Sequence, residues 1–211
     1  MKKNTIVLLI NIIFIFILTY IFSEIINLFQ FIWQRLTFRI IINLTLAGVT
    51  LIAIKITGMK IDFKWKNYKQ YLIGLIISLF LSLLIAWIPA WCGFSLVGKH
   101  EDFITWKFFY NLLYYILIIG PVEELVFRVY IQNEIVSYFS KNKWIGVLLA
   151  SFIFGLWHIV NGNIIQVIFT FVIGCVFGFS KHYIKDLNYP GIALCHGLYD
   201  FLNYVVRLVV L

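Results

Sequence analysis

Glu123 and Glu124 stand side by side in the run Ile118-Ile119-Gly120-Pro121-Val122-Glu123-Glu124-Leu125-Val126-Phe127-Arg128, within an otherwise strongly apolar chain. An ionisable side chain at bilayer depth costs at least about 2.5–3.5 kcal/mol, so groups placed there pair with one another, with buried polar partners or with trapped water, and mark a functional site by default. Glu124 and Arg128 are spaced i, i+4 with the acid N-terminal, the favourable order for a helical ion pair. That pair has two readings: it neutralises itself and only supports the helix, or it takes part in the chemistry. Glu123 projects about 100° away around the helix and needs a different partner. A buried carboxylate between a like charge and a cation suits a general base.

Two histidines lie in apolar segments that follow the acidic pair. His158 closes the run Phe154-Gly155-Leu156-Trp157-His158, and His196 lies in Ala193-Leu194-Cys195-His196-Gly197-Leu198-Tyr199-Asp200. A single histidine at a helix end serves structure or catalysis. Asp200, one turn beyond His196, faces the same way and can fix the imidazole tautomer by a hydrogen bond, or the two form a self-satisfied polar pair. Asn203 and Arg207 extend polarity along this last segment. His100 and His182 sit in connections beside Lys and Asp and read as solvated. A Cys195–His196 nucleophile is disfavoured, because adjacent residues on a helix diverge by about 100° and an apolar setting suppresses thiolate formation.

Taken in order, Glu-Glu-x-x-x-Arg, Phe-x-x-x-His and His-x-x-x-Asp resemble the pattern of a family of intramembrane proteases. This family includes CAAX prenyl endopeptidases of the Ras-converting type and bacterial bacteriocin-processing or immunity proteins, and is known as the CPBP or Abi family. Here the motifs are Glu123-Glu124-Leu125-Val126-Phe127-Arg128, Phe154 to His158, and His196 to Asp200. The resemblance covers about residues 104–205. It implies an intramembrane endopeptidase in which Glu123 and His158 activate water while His196 and the residue four on stabilise the oxyanion, with Glu124 and Arg128 in support. The family pattern also has Asn at the position of Asp200. An ionised Asp cannot donate to an oxyanion, so Asp200 is expected to orient His196, which donates instead. The resemblance names no substrate beyond a membrane-associated peptide or protein, and its bacterial members leave bacteriocin immunity without proteolysis as an alternative.

Two His and one Glu also make a zinc set with the fourth position left for water: His158, His196 and Glu123. The chain lacks the His-Glu-x-x-His helix of common zinc proteases. If Glu123 bound zinc, Glu124 would have to act as base, against its pairing with Arg128. The favoured reading is therefore a glutamate-activated water with no cofactor, zinc being the alternative.

The elements that must carry these groups follow from composition. Of 211 residues, 63% are hydrophobic and only 12% charged, half the charge of an ordinary soluble domain at about 25%. With a mean hydropathy of +0.97, this is the composition of a multi-span integral membrane protein whose first partner is the bilayer. At about 20 apolar residues per crossing, spans are expected near 5–31, 38–57, 70–93, 104–137, 143–160, 164–181 and 190–210. Segment 104–137 is too long for one straight crossing, and Pro121 after Gly120 is expected to kink or split it. The expected fold is thus an all-α polytopic bundle of seven to eight transmembrane helices. It forms one domain over 1–211, with 1–103 variable and 104–205 the catalytic core.

The net charge of +8 comes from lysines in connections (Lys2 and Lys3, Lys55 to Lys69, Lys141 and Lys143, Lys181 and Lys185). This is the positive-inside pattern and not a nucleic-acid surface. Lys60 to Lys69, interleaved with Phe63, Trp65 and Tyr68, reads as an interfacial segment meeting anionic headgroups. The composition fits a bacterial plasma membrane. Three cysteines in or beside apolar spans indicate no disulfide framework. Simple alternation of spans puts His158 and His196 at different depths, so a kink or a short re-entrant turn at Asn161-Gly162-Asn163 is expected to reconcile them. Ser151-x-x-x-Gly155 and Gly174-x-x-x-Gly178 are expected to be sites of close helix packing. Oligomeric state is not legible.

Overall fold

The computed structural model describes residues 3–160 and 162–210. Lys2 of the first basic cluster and Asn161 of the expected re-entrant turn lie outside the described residues. Among those described, the secondary structure is entirely helical. In chain order the helices are α1 (Lys3–Ile26), α2 (Ile32–Thr57), α3 (Tyr68–Trp91), α4 (105–138), α5 (Lys143–Val160), α6 (Ile164–Tyr183) and α7 (Tyr189–Val209).

All of these except α4 are long and apolar enough to cross a bilayer, which makes six candidate spans. The expectation of seven to eight crossings counted α4 as one or two more. That helix carries Lys107, Glu123, Glu124, Arg128 and Glu134 and is not among the six. Large side chains on the long helices face outward, as with Ile10 and Ile13 on α1 (61% and 57% exposed). An apolar exterior of this kind is matched to lipid, and the chain is a multi-pass integral membrane protein.

Helix boundaries follow local chemistry. Gly58 stops α2 in the left-handed region at φ 72°, its N–H returning to the Ile54 and Lys55 carbonyls, a conformation that glycine adopts without steric penalty. The Asn163 side chain accepts from the Gln166 N–H at 3.1 Å and caps α6, as expected of Asn at an N-cap. Pro190 sits in the first turn of α7, where its missing N–H costs nothing.

The expected break at Pro121 takes another form: helical backbone continues from 105 to 138. Immediately before the proline, residues Tyr115–Ile119 widen to π-helix, with the Gly120 N–H bonded to the Tyr115 carbonyl. The same device recurs in α3, where Leu83–Trp87 is π-helical two residues before Pro89. A proline ring collides with the carbonyl four residues back and offers it no N–H. A wider turn moves that carbonyl aside without ending the helix. A third π segment, Leu125–Ile131, follows the glutamates, with the Gln132 N–H reaching the Phe127 carbonyl.

The chain divides into two compact units, each discontinuous in sequence. The first comprises Met1–Asp62 and Val122–Lys185. In it α1 packs on α2, α5 on α6, residues 125–131 on α2, and residues 132–138 on α5. Its α5–α6 contact is close because the small residues allow it: a Cβ on Gly155 would lie 2.9 Å from both Phe171 Cβ and the Val167 carbonyl oxygen, and one on Gly174 would lie 2.9 Å from Phe154.

The second unit comprises Phe63–Pro121 and Asp186–Leu211. Here α7 packs along α3 and along residues 115–119, and Ala86, Ala90 and Val206 form a small core with Trp87, Val97 and Val210 around it. Gly197 permits the close approach to α4. A Cβ there would lie 2.8 Å from Ile116 Cα and 2.9 Å from the Tyr115 carbonyl carbon, backbone atoms that cannot step aside. Gly197→Ala is therefore expected to destabilise the protein by about 1–3 kcal/mol, the usual cost of overpacking. Gly48→Ala, with nothing within 4 Å of the added carbon, should leave the unfolding midpoint in detergent unchanged, and comparison of the two midpoints checks the claim.

Candidate active site

In the first unit the acidic pair lies on the most buried stretch of α4. Glu124 and Arg128 are both 0% exposed, and Glu123 is 7% exposed. Arg128 Nε stands 3.5 Å from Glu124 Oε2, the i, i+4 pair expected from spacing. The guanidinium carbon also lies 4.7 Å from the centre of the Phe154 ring, over its face, where the ring quadrupole attracts a cation. Among the described residues, none of the three guanidinium nitrogens has a hydrogen-bond partner. Arg128 is thus held by charge and by an aromatic face.

Phe154 links this pair to His158. On the same helix face, the Phe154 ring meets the His158 imidazole edge-on at 4.7 Å between centroids, and its carbonyl oxygen is 2.9 Å from His158 Nδ1. A carbonyl only accepts, so in the neutral ring this contact puts the proton on Nδ1 and leaves the Nε2 lone pair as the acceptor. That is the tautomer needed to take a proton through Nε2. The contact follows from the Phe-x-x-x-His spacing itself, because a side chain at the end of an α-helix can return to the carbonyl four residues back.

Glu123 and His158 share a neighbour. Glu123 lines a narrow crevice, too tight to enclose a free volume, with Ile15, Leu46, Val122, Val126, Phe127 and Trp157, the acid being the one charged residue among them. The Trp157 ring in turn meets His158 edge-to-face at 4.9 Å and 86°. Ile15 and Leu46 come from α1 and α2, segments to which no function was attached on sequence grounds. The signal that could have flagged α1 is Thr19, a polar residue in an apolar run that proves 6% exposed.

His196 and Asp200 belong to the second unit. His196 is 4% exposed, and its Nε2 lies 3.5 Å from Asp200 Oδ2 in the expected i, i+4 arrangement. Near the start of α7, the Tyr189 hydroxyl donates to the Pro121 carbonyl at 2.9 Å, and a cross-helix contact of Gly191 N–H with Gln70 Oε1 at 3.1 Å fixes α7 against α3. Asn203 and Arg207, which extended polarity along this helix in the sequence, turn to other tasks. Asn203 Oδ1 accepts from Ser82 at 3.3 Å, and Arg207 is 3.1 Å from Glu101, a carboxylate that also binds Lys107. This surface cluster pins the irregular stretch before α4 to the end of α7. His100 lies 3.9 Å from Asp102 in an exposed pair, in keeping with its solvated reading.

Among the described residues, no three His, Cys, Asp or Glu side chains are gathered into a metal-binding group.

A multi-pass helical membrane protein with a buried Glu-Glu-x-x-x-Arg helix and two helix-borne histidines is the class these observations define. Residues 105–202 match the Rce1-like family model, described as type II CAAX prenyl endopeptidase Rce1-like. That segment, a little under half of the chain, is similar to this family of CAAX protease-type peptidases, in keeping with the resemblance the three motifs carry. All six expected site residues fall within the matched segment, which starts at the first residue of α4. No curated protein and no solved structure matches the chain.

Proposed function

We propose that this protein is an intramembrane endopeptidase that cleaves a membrane-associated peptide or protein, with Glu123 as the base. The observation that carries the reading is the division of labour in the acidic pair. Arg128 is paired with Glu124 at 3.5 Å, while Glu123 faces the crevice beside Trp157, against which His158 packs. Glu123 takes a proton from water, with the Nε2 side of His158 helping to orient and polarise that water. The resulting hydroxide attacks the scissile carbonyl carbon. The carbonyl π electrons move onto oxygen, giving a tetrahedral oxyanion. His196, oriented by Asp200 at 3.5 Å within its own unit, has the oxyanion-donor role that the family resemblance implies. Collapse expels the amine, which takes back the proton held by Glu123. Donors aimed at a developing oxyanion are commonly worth about 10²–10³ in rate.

The residue types of Glu123, His158 and His196 also support a second reading, a zinc-bound water in the same peptidase. Dialysis of the reconstituted protein against a chelator separates the two. The glutamate reading expects unchanged cleavage and no stoichiometric metal in the purified protein. Loss of cleavage with recovery on zinc addition would establish the metal reading.

Substrate class is tested with proteoliposomes and two peptide sets, prenylated CAAX peptides and unprenylated apolar membrane peptides, with products identified by mass spectrometry. Cleavage of either set supports the endopeptidase and assigns its class. Failure to cleave both, together with undiminished protection of cells against a bacteriocin, would favour an immunity protein that acts by binding.

A further inference from the structure

We infer that Thr19, on the first helix and outside the family-matched segment, is a positioning residue for His158, acting through the Trp157 indole. The inference rests on the proposed role of His158 in water activation. Thr19 Oγ1 lies 2.9 Å from Trp157 Nε1 and accepts its proton. The Thr19 hydroxyl spends its own proton on the Ile15 carbonyl at 2.8 Å, so its orientation is fixed with the lone pairs turned to the indole. Both residues are buried, at 6% and 9% exposure, where a hydrogen bond is electrostatically stronger than in water.

The indole so held is one of two walls around the imidazole. Trp157 meets it edge-to-face at 4.9 Å and 86°, and Phe154 does so at 4.7 Å and 76°. Phe127 braces both walls, at 5.2 Å from Trp157 and 4.9 Å from Phe154. The Phe154 wall is anchored by the Arg128 guanidinium and by its own helix. Trp157 stands in the last α-helical turn before the backbone tightens to 3-10 at His158–Val160. The Thr19 bond anchors the indole from a different helix. It also sets the Trp157 face of the crevice that Glu123 lines, so one hydroxyl fixes a surface touching both the base and the histidine.

The test uses the full-length protein in proteoliposomes. Thr19→Val keeps the shape and removes the acceptor, Thr19→Ser keeps the hydroxyl, and Trp157→Phe keeps a ring and removes the donor. Thr19→Val is expected to lower kcat about tenfold, in the range seen when a partner that orients a working histidine is lost. KM should change less than twofold, and the acidic limb of the pH profile of kcat/KM should move. Thr19→Ser should restore both. Trp157→Phe should reproduce the loss even if Thr19→Val folds poorly, and adding Thr19→Val to it should cost no further activity, because the two share one bond. In protein labelled with 15N-tryptophan, the Trp157 Nε1–H resonance should shift in Thr19→Val and hold in Thr19→Ser.

Unchanged kcat and pH profile in Trp157→Phe would overturn the proposal, as would equal impairment by Thr19→Ser and Thr19→Val, or an indole resonance indifferent to Thr19→Val. His158→Ala separates the underlying reading: if that variant retains turnover, the role of His158 fails irrespective of Thr19.

Discussion

Glu123→Gln is expected to lower single-turnover cleavage in proteoliposomes by about 10²–10⁴, the range of general-base contributions, while insertion and thermal unfolding stay as in the wild type. The amide preserves the shape of the side chain and can still accept a hydrogen bond, but it cannot carry a proton from water to the leaving amine. Structural neutrality is expected because the substitution keeps the side-chain shape and leaves the Glu124–Arg128 pair in place. Cleavage at the wild-type rate would put the base elsewhere. Undiminished protection in a cell-killing assay, with the variant inserted and folded, would favour the binding reading for that phenotype.

Arg128→Ala is expected to fail before it reaches the assay. It leaves the fully buried Glu124 carboxylate without its cation, and breaking a buried pair in this way typically costs about 3–5 kcal/mol. It also removes the charge seated over the Phe154 ring. Poor accumulation and a lowered unfolding midpoint are the expected readouts. Glu124→Gln should be milder, since a neutral amide keeps an acceptor oxygen beside the guanidinium. The double variant Glu124→Gln with Arg128→Met should recover part of the lost stability, because both charges are then gone. A normally folded Arg128→Ala protein that binds substrate and only fails to turn it over would instead assign Arg128 to the chemistry.

Much of the architecture was legible because a bilayer leaves a chain few options. Apolar runs of about 20 residues have to be helices there, and α1, α2, α3, α5, α6 and α7 fall where such runs lie. The Glu124–Arg128 and His196–Asp200 pairs were legible for the same reason, since a helix of 3.6 residues per turn stacks i on i+4. The behaviour of Pro121 was not. Kink, break and π-helix all answer the same missing N–H, and which one forms depends on neighbours such as α7, whose Ala193 and Gly197 crowd Gly120. Thr19, Ile15 and Leu46 were illegible as parts of the candidate site, because their meaning comes from residues more than a hundred positions away for Thr19 and Trp157. The partner of Arg207 was illegible for a similar reason: Glu101 lies in an irregular stretch without periodicity.

The complete enclosure of residues Leu125 to Ile131, every one of them buried, bears on how the protein is made. With Glu123, Glu124, Arg128 and Glu134 in or beside it, this stretch cannot partition into lipid by itself, each charge adding about 2.5–3.5 kcal/mol against entry. Its cover comes from α2, synthesised earlier, and from α5 and α6 behind it, whose Phe154, Ser151 and Gly174 wall the arginine. A nascent chain that has emerged only as far as Tyr138 therefore holds its most costly charges without their shelter. The acidic segment becomes a lodger in the bilayer only after the ribosome has passed Tyr183. Biogenesis of this protein must include an interval in which the insertion machinery, and not the lipid, houses the future active-site helix.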